Sequence, residues 1–168
     1  MGLKFTPKYA APITVGFRRS ALAGLLLSVV ALCSARALAA DTGIGMVKVA
    51  KGGVSIHRGE QRLAATPGTE VHVADRVVTA ADGAVGITLR DNTLLSAGPN
   101  SSLSLDKYWF NGTTNAGAMD TTLKRGTLSV VSGKIAKQSP ESVRFRTPTT
   151  TLGVCGTEFV IETVGTED

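Results

Sequence analysis

The stretch ATPGTEVHVADRVVTAADGAVGITLRDNTLLSAGPNSSLSL, residues 65–105, decides the fold class of this chain. Larger apolar residues alternate with small or polar ones in the segment AVGITLR, which places Val85, Ile87 and Leu89 on one face of a strand. The pair Asp91-Asn92 follows and supplies the backbone conformations that a tight turn between strands needs. The stretch therefore predicts short strands joined by tight turns.

The pattern continues on both sides of this stretch. MVKVA and GGVSIHRG precede it, and TTLKRGTLSVVSG, VRFRTP and EFVIE follow it. We expect TTLKRGTLSVVSG to form two short strands about Gly126, and VRFR to turn Val143 and Phe145 inward. Gly or Pro interrupts almost every window in which a helical repeat would fit. The sequence predicts a single all-β domain of about ten short strands, in which a solenoid, a sandwich or a barrel would all fit.

The first forty residues have the order of a secretory signal peptide. Arg18 and Arg19 precede the apolar segment ALAGLLLSVVAL, and small residues then surround a cleavage site between Ala39 and Ala40. The apolar segment has 12 residues, fewer than the roughly 20 that span a bilayer. We therefore expect a cleaved signal helix in residues 1–39 and an exported domain in 40–168 without a membrane span.

Removal of residues 1–39 changes the charge of the chain. Of the 18 basic residues five lie in this segment, which leaves 13 basic residues against 13 acidic ones. The remaining charges are scattered along the sequence and of mixed sign, and no basic patch is visible in it. The sequence therefore gives no support for nucleic acid or another polyanion as a partner.

Three motifs in order resemble the FecR domain family, over about residues 47–161. The first lies in residues 65–105, the second is KRGTLSVVSG, and the third is VRFRTPTTTLGVCGTEFVIE. Residues of the first stretch that match the family pattern are Gly68, Asp75, Val77, Thr79, Gly83, Ala84, Ile87, Leu89, Asp91, Leu94, Pro99, Ser102 and Leu103. The signature residues of the third are Thr147, Pro148, Gly153, Cys155, Gly156, Thr157 and Phe159. The resemblance implies a solenoid-like stack of strands and a bacterial periplasmic role in sensing or protein contact.

Two residues depart from the family pattern. Asn92 stands where relatives have Gly, and Asn is the next best residue for a left-handed turn position. Cys155 stands where relatives have Arg, which removes a charge and five hydrogen-bond donors. A catalytic thiol needs a base within reach, and neither His57 nor His72 has an orienting group nearby in sequence. We interpret Cys155 as a small turn residue, in preference to a redox or mixed-disulfide site or a nucleophile. Gly153 and Gly156 are expected to adopt backbone conformations that other residues cannot.

The segment KYWFNGTTNAG is the candidate binding surface. It places Tyr108, Trp109 and Phe110 together, and neighbouring residues of a strand face opposite sides. At least one of the three aromatic rings is therefore expected to point outward beside a polar loop, where it would contact a protein or a glycan.

The residues favour a binding or scaffold module over an enzyme. We expect no cofactor, because no phosphate-binding loop, nucleophile elbow or zinc-helix motif is present in the sequence. The two histidines lack the spacing of a metal site and are expected to face solvent from strands. The resemblance implies that classical members regulate a sigma factor through a cytoplasmic segment. About 20 residues precede the apolar segment here, too few to fold around a sigma factor, so we favour a protein partner in the periplasm. Two alternatives remain. The chain could bind cell wall or exopolysaccharide, or it could act in trans with a sigma-regulating membrane protein.

Overall fold

The computed structural model describes residues 43–153 and 158–165. Of these residues 58% lie in strands and 7% in helices, which confirms the all-β class. The strands are β1 Gly45–Lys51, β2 Val54–Arg58, β3 Gln61–Ala64, β4 Glu70–Val71, β5 Arg76–Thr79, β6 Ala84–Leu89, β7 Leu94–Ala97, β8 Ser102–Phe110, β9 Gly117–Val131, β10 Val143–Arg146, β11 Thr151–Gly153 and β12 Glu158–Thr163. One short helix, α1 (Lys134–Gln138), and a 3-10 turn, Pro140–Ser142, connect β9 to β10.

The strands form one curled sheet of half-barrel shape. Its order is β3-β2-β5-β8-β9-β7-β6-β1-β4. Strands β10 and β12 also pair with β9, and β11 pairs with β10. All pairs are antiparallel except β10 with β9. The long β9 divides the sheet into two parts: the β8 half contains β3, β2, β5, β8, β10 and β11, and the β6 half contains β4, β1, β6, β7 and β12. The solenoid-like stack implied by the family resemblance is not confirmed.

Strand β9 corrects the expectation of two short strands about Gly126. It is one strand of 15 residues that runs through Gly126, whose φ is +92°. A Cβ atom at this position would overlap the side chain of Ser101. Before the glycine β9 pairs with β8, and after it β9 pairs with β7. Gly126 is therefore the bend at which the chain passes from the β8 half to the β6 half without breaking the strand.

Alternation along the strands builds the core as the sequence predicts. Strand β6 buries Val85, Ile87 and Leu89, and β10 buries Val143 and Phe145 while its arginines are exposed. Leu103 and Leu105 of β8 are buried in the same cluster. Each such side chain contributes about 1.5–3 kcal/mol when it is fully removed from water, so this face fixes the register of the sheet.

The segment TEVHVADRVVT, which is rich in β-branched residues, forms two strands in the structure. A turn separates β4 from β5, with Ala74 at a φ of +67° and the carboxylate of Asp75 accepting the His72 N–H at 2.8 Å. The sequence analysis did not predict the strands β3 and β11 or the helix α1, because the short segments QRLA, TLG and KIAKQ carry no clear apolar repeat. Such elements form through their neighbours and carry little signal of their own.

Candidate functional site

The family motif around Asp91 is a buried turn that ties three elements together. Asp91 is completely buried, and its carboxylate accepts the Thr93 hydroxyl at 2.7 Å and the Thr93 N–H at 3.2 Å. Its carbonyl accepts the Lys134 N–H at the start of α1 at 2.8 Å. Asn92 has a φ of +66°, which confirms the left-handed turn position expected for it. The polar groups of this motif are used to hold the turn.

Tyr108 belongs to the same network, so the structure places it in the interior. Its hydroxyl donates to the Asp91 carboxylate at 3.2 Å and accepts the Asp91 N–H at 2.9 Å. Burial, and next the negative charge of Asp91, raise the pKa of Tyr108 well above its ordinary value. Of the three aromatic residues suggested as a surface, Tyr108 therefore anchors the strand and offers no exposed ring.

Trp109 is the aromatic residue that faces outward, with half of its surface (50%) exposed. A bulge between Leu105 and Lys107 shifts the alternation of β8, which turns Tyr108 inward and Trp109 outward. Phe110 is partly buried against the core. The expectation that at least one ring points outward holds for Trp109.

The loop after Trp109 is held by its own side chains. The amide oxygen of Asn111 accepts the N–H groups of Thr113 at 2.9 Å and Thr114 at 3.2 Å, and the Asn111 N–H donates to Ala116 at 2.8 Å. Local bonds of this type order a turn without help from the core. Trp109 thus lies at the base of a closed hairpin between β8 and β9.

Asp75 forms a second buried anchor that the sequence did not single out as such. Arg58 donates from Nε and Nη2 to the two carboxylate oxygens, both at 2.8 Å. The Asp75 side chain is completely buried, whereas that of Arg58 is 34% exposed. Arg58 also donates to the carbonyl of Glu70 at 3.1 Å. The pair joins β2 to the turn before β5, and no local sequence signal links residues so far apart.

The Thr-Pro signature forms the turn between β10 and β11. The N–H of Thr147 donates to the carbonyl of Thr150 at 2.8 Å, and its hydroxyl accepts the Thr150 N–H at 3.1 Å. Pro148 lies exposed within this turn. Thr147 and Pro148 therefore lie in the turn that closes this hairpin.

The match to a known family follows the same motifs. The sequence model of the family described as FecR protein matches residues 75–168. This chain belongs to the FecR protein family. The resemblance stated from the motifs is thus confirmed, and the match begins at the buried Asp75. No curated protein and no solved structure matches the chain.

The remaining FecR signature residues divide into described and undescribed positions. Phe159 contacts Phe145 edge to face with ring centroids 5.2 Å apart, so β12 packs on the core. Gly153 was expected to be a special backbone position, but its φ is not positive, and no atom of the described residues lies within 4 Å of a Cβ atom placed there. Cys155, Gly156 and Thr157 lie outside the described residues, as do Ala39, Ala40 and the whole signal segment 1–39. The interpretation of Cys155 as a turn residue and the cleavage site between Ala39 and Ala40 therefore remain predictions.

The two histidines occupy different surroundings. His72 is buried, with 8% of its surface exposed, which corrects the expectation of a solvent-facing position. His57 is half-buried on β2 and its Nε2 lies 3.2 Å from the Ser55 hydroxyl. Among residues 43–153 and 158–165, no three His, Cys, Asp or Glu side chains are grouped as a metal site requires. In the same residues no helix is long and apolar enough to cross a membrane.

Proposed function

We propose that this chain is an exported, non-catalytic FecR module that contacts a protein partner in periplasmic signalling. Family membership supports a signalling-related role, and the signal-peptide pattern in residues 1–39 supports export. The observation that carries the proposal is Trp109, a half-exposed indole fixed beside a buried anchor.

The surroundings of Trp109 suit a contact residue. Its neighbour Tyr108 is bonded to Asp91 on the inner side, and the hairpin that follows is closed by Asn111. A large ring on an ordered backbone loses little conformational entropy on binding, which is why tryptophan is enriched among the residues that dominate protein interfaces. The β8–β9 hairpin is therefore the proposed contact site.

The buried motif residues support a role without catalysis. The carboxylate of Asp75 is occupied by Arg58 and His72, and that of Asp91 by Thr93 and Tyr108. Both side chains are completely buried. Their hydrogen bonds hold the turns in place, and neither carboxylate is accessible to a substrate. Asp75 and Asp91, which both match the FecR pattern, are therefore interpreted as structural residues.

Affinity capture from the periplasm tests the proposal. The tagged chain is compared with Trp109→Ala and with the matched variant Val49→Ala, whose side chain is 49% exposed on the β6 half. We expect one set of proteins to be captured by the wild type and by Val49→Ala and lost with Trp109→Ala. Capture that is equal in all three chains would contradict the proposed contact site.

A glycan partner is the second candidate, because the same exposed indole lies beside a loop rich in Asn and Thr. Retention of the chain on peptidoglycan or exopolysaccharide beads, lost with Trp109→Ala and kept with Val49→Ala, would favour it. If this chain instead acts in trans with a sigma-regulating membrane protein, that membrane protein would be recovered in the protein capture.

A further inference from the structure

Strand pairing gathers arginines that are far apart in the sequence. On the outer face of the β8 half, Arg62 lies opposite His57, and His57 lies opposite Arg76. The same row continues through Ser104 and Thr122 to Arg146 of β10. Directly paired residues point to the same side of a sheet, so this row places three guanidinium groups on one surface.

Neighbouring rows add further positive charge to this surface. Lys107 and Arg144 are each paired with Asp120, and Arg125 is paired with Ser102. We call the whole set the basic face: its basic members are Arg62, Arg76, Lys107, Arg125, Arg144 and Arg146, and its acidic members are Asp106 and Asp120. Arg146 and Asp120 form an ion pair at 3.5 Å. Within the described residues, six basic side chains thus share a surface with two acidic ones.

The excess of positive charge arises from folding and not from composition. Residues 40–168 contain equal numbers of basic and acidic residues. The strands on the outer face of the β6 half carry Lys48 and Lys51 against Glu70, Glu158 and Glu162, so this face has no excess of positive charge. The two halves of the sheet therefore present different potentials to a partner.

The basic face also contains a groove. The groove has a volume of 440 Å³ and includes Arg62 and Arg125 in its lining, with the small residues Ser55 and Ala64 between them. Burial, and then the charges of Arg62 and Arg76, lower the pKa of His57 on the same face. The shift in His57 is consistent with a positive potential over this surface.

We propose that the basic face binds an extended acidic segment of the protein partner through Asp and Glu carboxylates. Arginine forks bind carboxylates with two parallel hydrogen bonds, which favours this chemistry. The row from Arg62 to Arg146 crosses five strand spacings of about 4.8 Å, or about 24 Å, the length of about seven extended residues. The inference rests on the proposed function, since it names the chemistry of the protein that the FecR module contacts.

Fluorescence anisotropy of a labelled peptide of alternating Glu and Thr, about eight residues long, tests this assignment. The full chain is compared with Arg62→Gln/Arg76→Gln and with Lys48→Gln/Lys51→Gln, which removes the same charge from the β6 half. We expect saturable binding that weakens with salt and falls about threefold for each arginine removed, with little change in the lysine variant. The peptide with Gln in place of Glu should not bind.

Three results would overturn the inference. They are the absence of saturable binding of the Glu peptide, equal loss in the arginine and lysine variants, and preferential binding of polygalacturonate, which would assign the face to an acidic polysaccharide. Unchanged thermal unfolding shows that the arginine variant is folded. If Trp109-dependent capture persists while the acidic peptide fails to bind, the proposed function stands and only the acidic chemistry is wrong.

Discussion

The hydroxyl of Tyr108 both donates to the carboxylate of Asp91 and accepts the Asp91 N–H, at 3.2 and 2.9 Å. One phenol therefore links the outer hairpin of the β8 half to the turn between β6 and β7. Because the next residue is Trp109, this bond sets the orientation of the proposed contact side chain.

Replacing Tyr108 with Phe should destabilise the fold. The change removes both bonds and leaves a buried N–H and a buried carboxylate with fewer partners, at a cost of about 1–3 kcal/mol. Urea denaturation measures the difference in the free energy of unfolding. Trp109→Phe, at the exposed neighbour, should change it by less than about 0.5 kcal/mol. Equal effects of the two variants would show that the hydroxyl is not an anchor.

The ion pair of Arg58 and Asp75 should matter far more than that of Arg146 and Asp120. Asp75 is completely buried, so Arg58→Met leaves an unpaired buried charge and is expected to cost about 3 kcal/mol or more. Arg146 is 44% exposed and its pair spans 3.5 Å, so Arg146→Met should cost less than about 1 kcal/mol. Chemical denaturation measures the loss in the free energy of unfolding for both variants. A loss for Arg146→Met equal to or greater than that for Arg58→Met would contradict this ranking.

Two glycines should respond in opposite ways to the same substitution. Gly126→Ala adds a Cβ atom that overlaps Ser101 at a left-handed φ, so a loss of about 2 kcal/mol or more is expected. Gly153→Ala meets no atom of the described residues within 4 Å and keeps an ordinary φ, so it should be neutral or slightly stabilising. Thermal unfolding of the two variants provides the comparison, and a tolerated Gly126→Ala would contradict the bend in β9.

His57 should titrate below its ordinary pKa of 6.5, because it is partly buried and faces Arg62 and Arg76. Since the unfolded chain then takes up this proton at a higher pH than the folded one, stability falls as the pH drops below about 6.5. NMR titration of the His57 ring gives the pKa directly. Arg76→Gln should raise it and Lys51→Gln should not; a pKa at or above 6.5 in the wild type would count against the positive potential.

Local patterns predicted the parts of this fold that depend on alternation. The pattern placed Val85, Ile87 and Leu89 on one face of a strand and turned Val143 and Phe145 inward, and the structure buries all five, since each strand alternates without interruption. The burial of Tyr108 could not be predicted from the sequence. The bulge at Lys107 reverses the inward and outward alternation of β8, and this bulge is set by pairing with β9. From Leu103 and Leu105 alone, an unbroken strand would have turned Trp109 inward.

The basic face could not be predicted for a different reason. Its arginines are spread from residue 62 to residue 146, and only the registers of β2, β5, β8, β9 and β10 bring them to one surface. The same holds for Arg58 and Asp75, which lie 17 residues apart in the sequence and meet through the turn between β4 and β5. Contacts between distant strands are decided by tertiary pairing, which composition and spacing do not record.

Photo-crosslinking in living cells tests the central claim most directly, that the outward-facing residue of the β8–β9 hairpin touches a protein. A benzophenone amino acid is placed at position 109 and, in a matched chain, at position 49, which is equally exposed on the β6 half. Irradiation should yield one discrete protein adduct from position 109 and none from position 49. No adduct from position 109, or the same adduct from both, would contradict it.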